Sequence, residues 1–323
     1  MDRMELNVEV SRLTRAKTGF TLRRRTVVTL SFMILFQTFS GLFAEAIEPT
    51  HADVEFATVD DIPLRLDLYL PKQGIGDQKE AAAPLIVWVH GGAWRAGSKS
   101  NVPIKDLVNQ GFAIASVEYR LSSQAPFPAQ VHDIKTAIRW LREGSSKYGY
   151  NPDQIVIAGA SAGGHLAALV GVSDKHPELD GDIVPNSTRA DVAAIVSFYG
   201  ASNLETILDQ STPHGLNVRI PALQLLLRAQ PDQDPALAKL ASPVNHVGKG
   251  DPPILLIHGD QDPQMPINQS HELQGAYDRA GIEARFDVVH GGGHGGDEFY
   301  TVEKLDRVAE FFRGSLAKSQ TGR

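Results

Sequence analysis

The sequence predicts an α/β fold, with a mostly parallel central sheet and helices on both faces of that sheet. Short continuous apolar runs recur along the chain, as expected of strands that are buried on both faces. Stretches with helical periodicity separate these runs. Strands that alternate with helices are typical of βαβ units with right-handed crossovers. The length of 323 residues and the apolar content of 42% suit one large domain with a single core.

Alternating and continuous apolar segments mark the predicted strands. Leucine occupies every second position from Leu64 to Leu70, which predicts a half-buried antiparallel strand at the edge of the sheet. The last predicted strand ends at His290. The continuous runs are PLIVWVH (84–90), FAIASVEY (112–119), QIVIAGA (154–160), AAIVSFYG (193–200) and PPILLIHG (252–259).

Three segments have the periodicity of helices that are buried along one side. The first begins near Ile134, the second follows Ser161, and the third lies close to the C-terminus. Their apolar positions are Ile134, Ala137, Ile138 and Leu141; Leu166, Ala167, Val170 and Gly171; and Val302, Leu305, Val308, Phe312 and Leu316.

Residues 201–251 interrupt the alternation of strands and helices. The segment contains no clear strand, and it is too long for a plain connection. Its prolines are Pro213, Pro221, Pro231, Pro235 and Pro243. Because ligand sites of α/β sheets lie beyond the carboxyl ends of the strands, we predict a helical, lid-like insertion over that edge and over the active site.

Residues 1–46 are predicted to be a secretory signal peptide. Three arginines at 23–25 precede an apolar segment at 26–43, and Ala44-Glu45-Ala46 follows as an A-x-A cleavage box. The apolar segment is shorter than the ~20 residues of a transmembrane helix, and a retained N-terminal anchor is the alternative. The arginines also resemble a twin-arginine export signal. We expect export to the periplasm or the medium, with residues 47–323 as one domain that is not stably inserted in a membrane.

The composition excludes several classes of function. The chain has no cysteine, which rules out a cysteine nucleophile, a disulfide framework and cysteine-ligated metals. With 31 basic and 38 acidic residues the net charge is −7, and no basic face is evident beyond the N-terminus, so a nucleic-acid partner is not expected.

The most informative motif is Gly159-Ala160-Ser161-Ala162-Gly163, which stands between a predicted strand and a predicted helix. A G-x-S-x-G turn in this setting is the nucleophile elbow of α/β-hydrolases, in which the serine oxygen projects above the sheet. A dinucleotide-binding turn would need glycine in place of Ser161, and a phosphate-binding loop would need lysine in place of His165. We therefore predict Ser161 as a nucleophile and expect no cofactor.

A second glycine motif follows the strand at 84–89. His90-Gly91-Gly92-Ala93-Trp94 resembles the HGGG-type loop of esterases, with Ala93 in place of its last glycine. A backbone donor survives that change. The N–H groups of Gly92, Ala93 and Ala162 are therefore predicted to form an oxyanion hole.

An acid and a base are predicted in the loops after the last two strands. Asp262 is preferred over Asp260, because an aspartate in the first turn after a strand commonly bonds the backbone. His294 is preferred over His290, because His290 ends the strand and His294 lies in a glycine loop that can reach the serine. The order Ser, Asp, His is that of the α/β-hydrolases. A zinc site at the two histidines is the alternative, but no neighbouring acidic ligand completes it, and no metal is expected.

These motifs together resemble a known family. HGGAWRAGSK, VEYRLS, FPAQVHDIKTAIRWLR and GASAGGHLAAL are similar to segments of the secreted bacterial esterases and lipases related to hormone-sensitive lipase, above all the bifunctional acetyl-xylan and feruloyl esterases. The resemblance extends from about residue 54 to 315. It implies a triad of Ser161, Asp262 and His294, and structural roles for Arg120 and Asp133.

The expected function is hydrolysis of short acyl esters, acetyl or feruloyl, through a Ser-His-Asp acyl-enzyme. The substrate would be a small molecule or an ester carried by a polysaccharide such as xylan. A peptidase or an arylformamidase-like amidase on the same fold is the alternative, since a fold alone does not determine the substrate. The sequence does not predict an oligomeric state.

Overall fold

The structure is a computed structural model that describes residues 47–72, 82–174, 176–181 and 189–321. The predicted signal peptide, residues 1–46, lies outside these residues. Ala46–Arg323 is one compact unit, and every element described below belongs to it. None of the helices in the described residues is both long enough and apolar enough to span a membrane.

The described residues contain eight strands that form one sheet. The strands are β1 His51–Val59, β2 Ile62–Tyr69, β3 Ala83–Val89, β4 Ala113–Val117, β5 Tyr150–Ala160, β6 Ile195–Phe198, β7 Ile254–Gly259 and β8 Ala284–Val289. Their order is β1-β2-β4-β3-β5-β6-β7-β8. β2 runs antiparallel to both of its neighbours, and the six strands from β3 to β8 are parallel to one another. The predicted mostly parallel sheet is therefore confirmed.

The helices cover both faces of the sheet, as predicted. They are α1 Ala129–Tyr148, α2 Ala162–Val172, α3 Ile207–Gln210, α4 Pro213–Leu227, α5 Pro235–Leu240, α6 Asn268–Ala280 and α7 Val302–Thr321. Three short 3₁₀ turns join them, at Lys105–Gln110, Pro243–Asn245 and Asp297–Phe299. Buried residues of α1, α2, α4 and α6 form one core cluster with the sheet, and those of α7 and the first 3₁₀ turn form the second.

The continuous apolar runs are explained by these two clusters. In β3, Val87 and Val89 belong to the first cluster, whereas Ile86 and Trp88 belong to the second. All four side chains are almost fully buried. Because successive side chains of a strand point to opposite faces, a strand covered on both sides is apolar at most positions on both faces.

The prediction that the leucine strand forms the sheet edge is wrong. That strand is β2, and it lies between β4 and an outer strand, β1, that was not predicted. β1 is mostly exposed, and Phe56 is its one buried residue. Its apolar residues Val54, Phe56, Ala57 and Val59 do not keep one alternation, because the register shifts between Glu55 and Ala57.

Two helices differ from the sequence-based expectation, one in a single residue and one in not being predicted. In α7 the stripe from Leu305 to Leu316 is buried, but Val302 is 75% exposed, because it is the first residue of the helix. α6 was not predicted. Its buried stripe is limited to Leu273, Ala276 and Tyr277 among polar residues, with Gln269 and Ser270 also buried.

Residues 201–251 contain α3, α4, α5 and the second 3₁₀ turn, and no strand, in agreement with the predicted helical segment. α4 contacts the loop before α1, where the N–H of Phe127 donates to the carbonyl of Leu226 at 2.8 Å. Leu223, Leu226 and Leu227 are buried in the first core cluster. The dense leucine patch of this segment therefore packs into the core.

Candidate active site

Ser161 lies in a strained turn between β5 and α2. Its φ is +55° and its ψ is −118°, a conformation that L-residues rarely adopt. The flanking glycines are required by close approach: a Cβ at Gly163 would collide with the carbonyl of Val89, and a Cβ at Gly159 with the carbonyl of Gly163. The turn thus holds the serine at the carboxyl end of β5 and at the N-terminus of α2.

A chain of hydrogen bonds joins the three predicted triad residues. Oγ of Ser161 lies 2.8 Å from Nε2 of His294. Nδ1 of the same imidazole lies 2.6 Å from Oδ2 of Asp262. Asp262 follows β7 and His294 follows β8, so the two neighbouring parallel strands carry their loops to the same edge of the sheet as Ser161.

The Asp262 carboxylate is buried and held from several sides. Its Oδ1 accepts hydrogen bonds from the N–H groups of Gln264 and Met265, both at 2.8 Å. Nε2 of His258 lies 3.3 Å from its Oδ2. Burial alone would raise the pKa of Asp262, but the bonds from His258, His294 and the backbone hold it well below its usual value. The carboxylate therefore stays charged while it orients the His294 imidazole.

The alternative acid and base, Asp260 and His290, bond each other at a distance from the serine. Nδ1 of His290 lies 2.9 Å from Oδ2 of Asp260, and the N–H of Gly291 donates to Oδ1 at 2.7 Å. The His290 side chain is 85% exposed. Of the two pairs considered from the sequence, the structure brings Asp262 and His294 to Ser161 and leaves the other pair at the surface.

The loop after β3 lies beside the serine. Gly92, Ala93 and Trp94 all have positive φ, at +118°, +50° and +59°. Within the described residues, the N–H groups of Gly92 and Ala93 donate no hydrogen bond. Ala162 is the first residue of α2, and first-turn N–H groups have no acceptor within their helix. The N–H groups of all three predicted oxyanion residues are thus available to a substrate oxygen.

A histidine on α2 fixes this loop. Nδ1 of His165 accepts the indole N–H of Trp94 at 3.0 Å, and its Nε2 donates to the carbonyl of Ala241 at 2.7 Å. Burial lowers the pKa of His165 to about 4, an effect that the Ala241 bond opposes and that nearby Arg219 adds to. The neutral imidazole therefore ties together the loop, α2 and the 201–251 segment.

The serine opens into a cavity of about 540 Å³. Its walls include Ser161, His294, Gly92 and Ala93, with Val218 and Arg219 contributed by α4. Across the cavity, the ring of Tyr199 packs edge-on against that of His294 at 5.0 Å, and its hydroxyl lies 2.6 Å from that of Tyr300. The 201–251 segment thus supplies part of the wall of the site.

Three residues of the site were not found from the sequence. His258 is the last residue but one of β7, and its polar side chain stands where the strand is otherwise apolar, which was a usable signal. Tyr199 follows β6 directly and has φ +40°. Arg219 is a single basic residue in the apolar segment of α4, and no pattern in the sequence marks it as part of a site.

Arg120 and Asp133, to which the resemblance assigned structural roles, form a buried pair. The carboxylate accepts from the Nε, the Nη2 and the backbone N–H of Arg120, at 2.8–3.1 Å. In the part of the chain that the structure describes, no three histidine or acidic side chains are grouped so that they could hold a metal ion.

Comparison with known proteins identifies the family. The family model BD-FAE matches residues 66–277. Esterase LipC of Mycobacterium tuberculosis is 32% identical over 245 residues, which cover 74% of this chain and 58% of LipC. The chain spans about half the length of the curated relatives it matches.

Two solved structures are similar over most of the chain. A truncated carbohydrate esterase from gut microbiota has a TM-score of 0.75 and 33% identity, and the match covers 85% of this chain and 99% of the other. A bifunctional GH43-CE protein of Bacteroides eggerthii has a TM-score of 0.73 and 30% identity, over 82% of this chain and 35% of the other. The chain therefore belongs to the BD-FAE family of α/β-hydrolase esterases.

Proposed function

We propose that the protein is a serine hydrolase of carboxylic esters that acts through a Ser-His-Asp acyl-enzyme. The single observation that carries the proposal is the hydrogen-bonded chain from Ser161 Oγ through the His294 imidazole to Asp262, at 2.8 and 2.6 Å. In this mechanism Nε2 of His294 takes the serine proton as Oγ attacks the ester carbonyl. The same imidazole then gives the proton to the leaving alcohol, and water repeats the sequence on the acyl-enzyme.

In the tetrahedral intermediates, the N–H groups of Gly92, Ala93 and Ala162 stabilise the negatively charged oxygen. Positioned donors of this kind stabilise the developing oxyanion, and each is typically worth ~10²–10³ in rate. The N-terminus of α2, which begins at Ala162, adds a favourable helix dipole. Since the donors are backbone N–H groups, an alanine at position 93 supplies the same donor as a glycine.

The proposed substrates are short acyl esters, acetyl or feruloyl, on a carbohydrate such as xylan. Two observations support this class. One similar solved structure is described as a carbohydrate esterase, and another as a bifunctional GH43-CE protein. In addition, Leu223, Leu226 and Leu227 of α4 are packed in the core, so they do not form the apolar groove that a long acyl chain would need. We also propose export through the leader 1–46, which would bring the enzyme to such polymers.

A chain-length series tests the substrate class. 4-Nitrophenyl esters from acetate to decanoate are compared by kcat/KM, together with acetylated xylan, methyl ferulate and 4-nitroacetanilide as an amide control. We expect the highest value at two to four carbons and release of acetate from xylan. A true acyl groove would increase kcat/KM about fourfold per added carbon, because each buried methylene is worth ~0.8 kcal/mol. A maximum at eight or more carbons without acetate release would contradict the proposal, and faster cleavage of the anilide would favour an amidase.

A further inference from the structure

Arg219 of α4 is a buried arginine without a carboxylate partner. It is 1% exposed. The other buried arginines behave differently: Arg120 pairs with Asp133 at 2.8 Å, and Arg139 pairs with Asp180 at 2.8 Å. For Arg219, the described residues contain no acidic oxygen within ion-pair distance, and its Nη1 has no hydrogen-bond partner.

The few contacts of this guanidinium leave most of its donors unused. Nε donates to the carbonyl of Gln264 at the long distance of 3.4 Å. The Cζ atom lies 5.9 Å from the ring centroid of Trp94, in a cation–π arrangement. An arginine has five N–H donors in a planar fork, and a buried donor without a partner is costly.

The charge of Arg219 remains at neutral pH. Burial lowers the pKa of the guanidinium to about 10, an effect that Asp262 opposes and Arg95 adds to. Asp262 acts on this charge from beyond ion-pair distance, and a buried charge without a directly paired counter-charge is unfavourable unless something else supplies one. Arg219 lines the same cavity as Ser161 and His294, so a substrate in this cavity is in position to supply it.

We propose that Arg219 determines specificity by binding a carboxylate carried by the ester substrate, and that the preferred substrates are anionic esters. Its planar fork matches the two oxygens of a carboxylate. This inference rests on the proposed esterase function and narrows its substrate class to acidic sugars that bear an acyl group, or to half-esters of dicarboxylic acids. Asp297 also lines the cavity, but its side chain is exposed, so solvent screens its effect on an anion.

Two matched substrate pairs test the proposal and separate the two sources of the carboxylate. On the acyl side, 4-nitrophenyl hydrogen glutarate is compared with 4-nitrophenyl 5-oxohexanoate, in which a methyl ketone replaces the carboxylate. On the alcohol side, 4-acetoxybenzoate is compared with 4-acetoxyacetophenone. Rates without enzyme are subtracted, and 4-nitrophenyl acetate serves as the neutral reference.

The variant is Arg219→Gln, with Arg228→Gln as the control, since Arg228 is an exposed arginine at the end of the same helix. We expect Arg219→Gln to lower kcat/KM for the carboxylate member of at least one pair about 10- to 100-fold more than for its ketone partner, the range of a charge-assisted hydrogen bond. Arg228→Gln should leave both members unchanged. The pair that responds identifies the side of the ester that carries the carboxylate.

Equal losses for both members of both pairs would overturn the proposal and make Arg219 a positioning residue for the loop that carries Asp262, through its bond to Gln264. Wild-type kcat/KM of Arg219→Gln on all four substrates would overturn it as well. If Arg219→Gln does not fold, Arg219→Met replaces it under the same criteria, because methionine also removes the charge. Failure of the esterase proposal is seen separately, as failure of the wild-type protein to cleave 4-nitrophenyl acetate.

Discussion

Replacement of Asp262 by asparagine is predicted to inactivate the enzyme by changing the His294 tautomer. In the wild-type protein, Oδ1 of Asp262 accepts two backbone N–H groups, and Oδ2 faces Nδ1 of His294. The amide oxygen of asparagine must take the Oδ1 place, because both partners there are donors. The amide NH₂ then faces His294, whose Nδ1 must become the acceptor. The proton moves to Nε2, which can no longer accept the proton of Ser161.

The expected loss follows from that geometry. A triad with the wrong tautomer loses about 10⁴ in kcat, equivalent to about 5 kcal/mol of transition-state stabilisation. The matched control is Asp260→Asn, since Asp260 bonds the exposed His290 and the N–H of Gly291 and makes no hydrogen bond to the triad. That change should leave kcat within about fivefold of the wild type, as for other exposed pairs.

The assay is hydrolysis of 4-nitrophenyl acetate at saturating substrate, with circular dichroism to show that both variants are folded. The order of the two effects is the informative result. If folded Asp262→Asn retains kcat within tenfold of the wild type, the tautomer argument is refuted. If Asp260→Asn is the more damaging change, the wrong acid has been assigned.

Two further predictions concern stability and processing. Because the folded pKa of His165 is about 4 and its ordinary value is 6.5, the unfolded chain binds the extra proton between these pH values and the folded protein does not. The free energy of unfolding should therefore fall by about 3 kcal/mol from pH 6.5 to pH 4 on account of this group. When the free energy of unfolding is measured by urea at several pH values in that range, it should depend less on pH in His165→Gln than in the wild type. An unchanged dependence on pH would contradict the assignment of this effect to His165. The exported protein should begin at Ile47, and N-terminal mass spectrometry that found the leader intact would instead indicate an anchor.

The sequence was most informative where burial or backbone geometry constrained it strongly. The strands from β3 to β7 are covered by packed side chains on both faces and had to be mostly apolar, so they were visible as continuous runs. The elbow at Ser161 needed glycine on both sides for steric reasons, so its motif identified the turn. β1 was not predicted, because an edge strand with one buried residue, Phe56, does not need to be apolar on both faces.

Parts of the site depended on contacts that are distant in the chain. The sequence favoured Asp262 because Asp260 stands in the first turn after the strand, but the contact of Asp262 with His294, 32 positions later, is visible only in the fold. Arg219 stands 58 positions after Ser161 and reaches the cavity because α4 folds back over the sheet edge. Its proposed role depends on the fact that no carboxylate of the described residues lies within ion-pair distance of it. The local sequence of α4 does not predict that fact.

The central claim is that Ser161 is the nucleophile, and covalent labelling tests it most directly. The wild-type protein is treated with a 4-nitrophenyl alkylphosphonate, and the modified peptide is identified by mass spectrometry while the remaining esterase activity is followed. We predict one adduct per chain, on Ser161, with activity lost in proportion to labelling, and neither labelling nor activity in folded Ser161→Ala. An adduct on another residue, or hydrolysis by Ser161→Ala at the wild-type rate, would contradict the account.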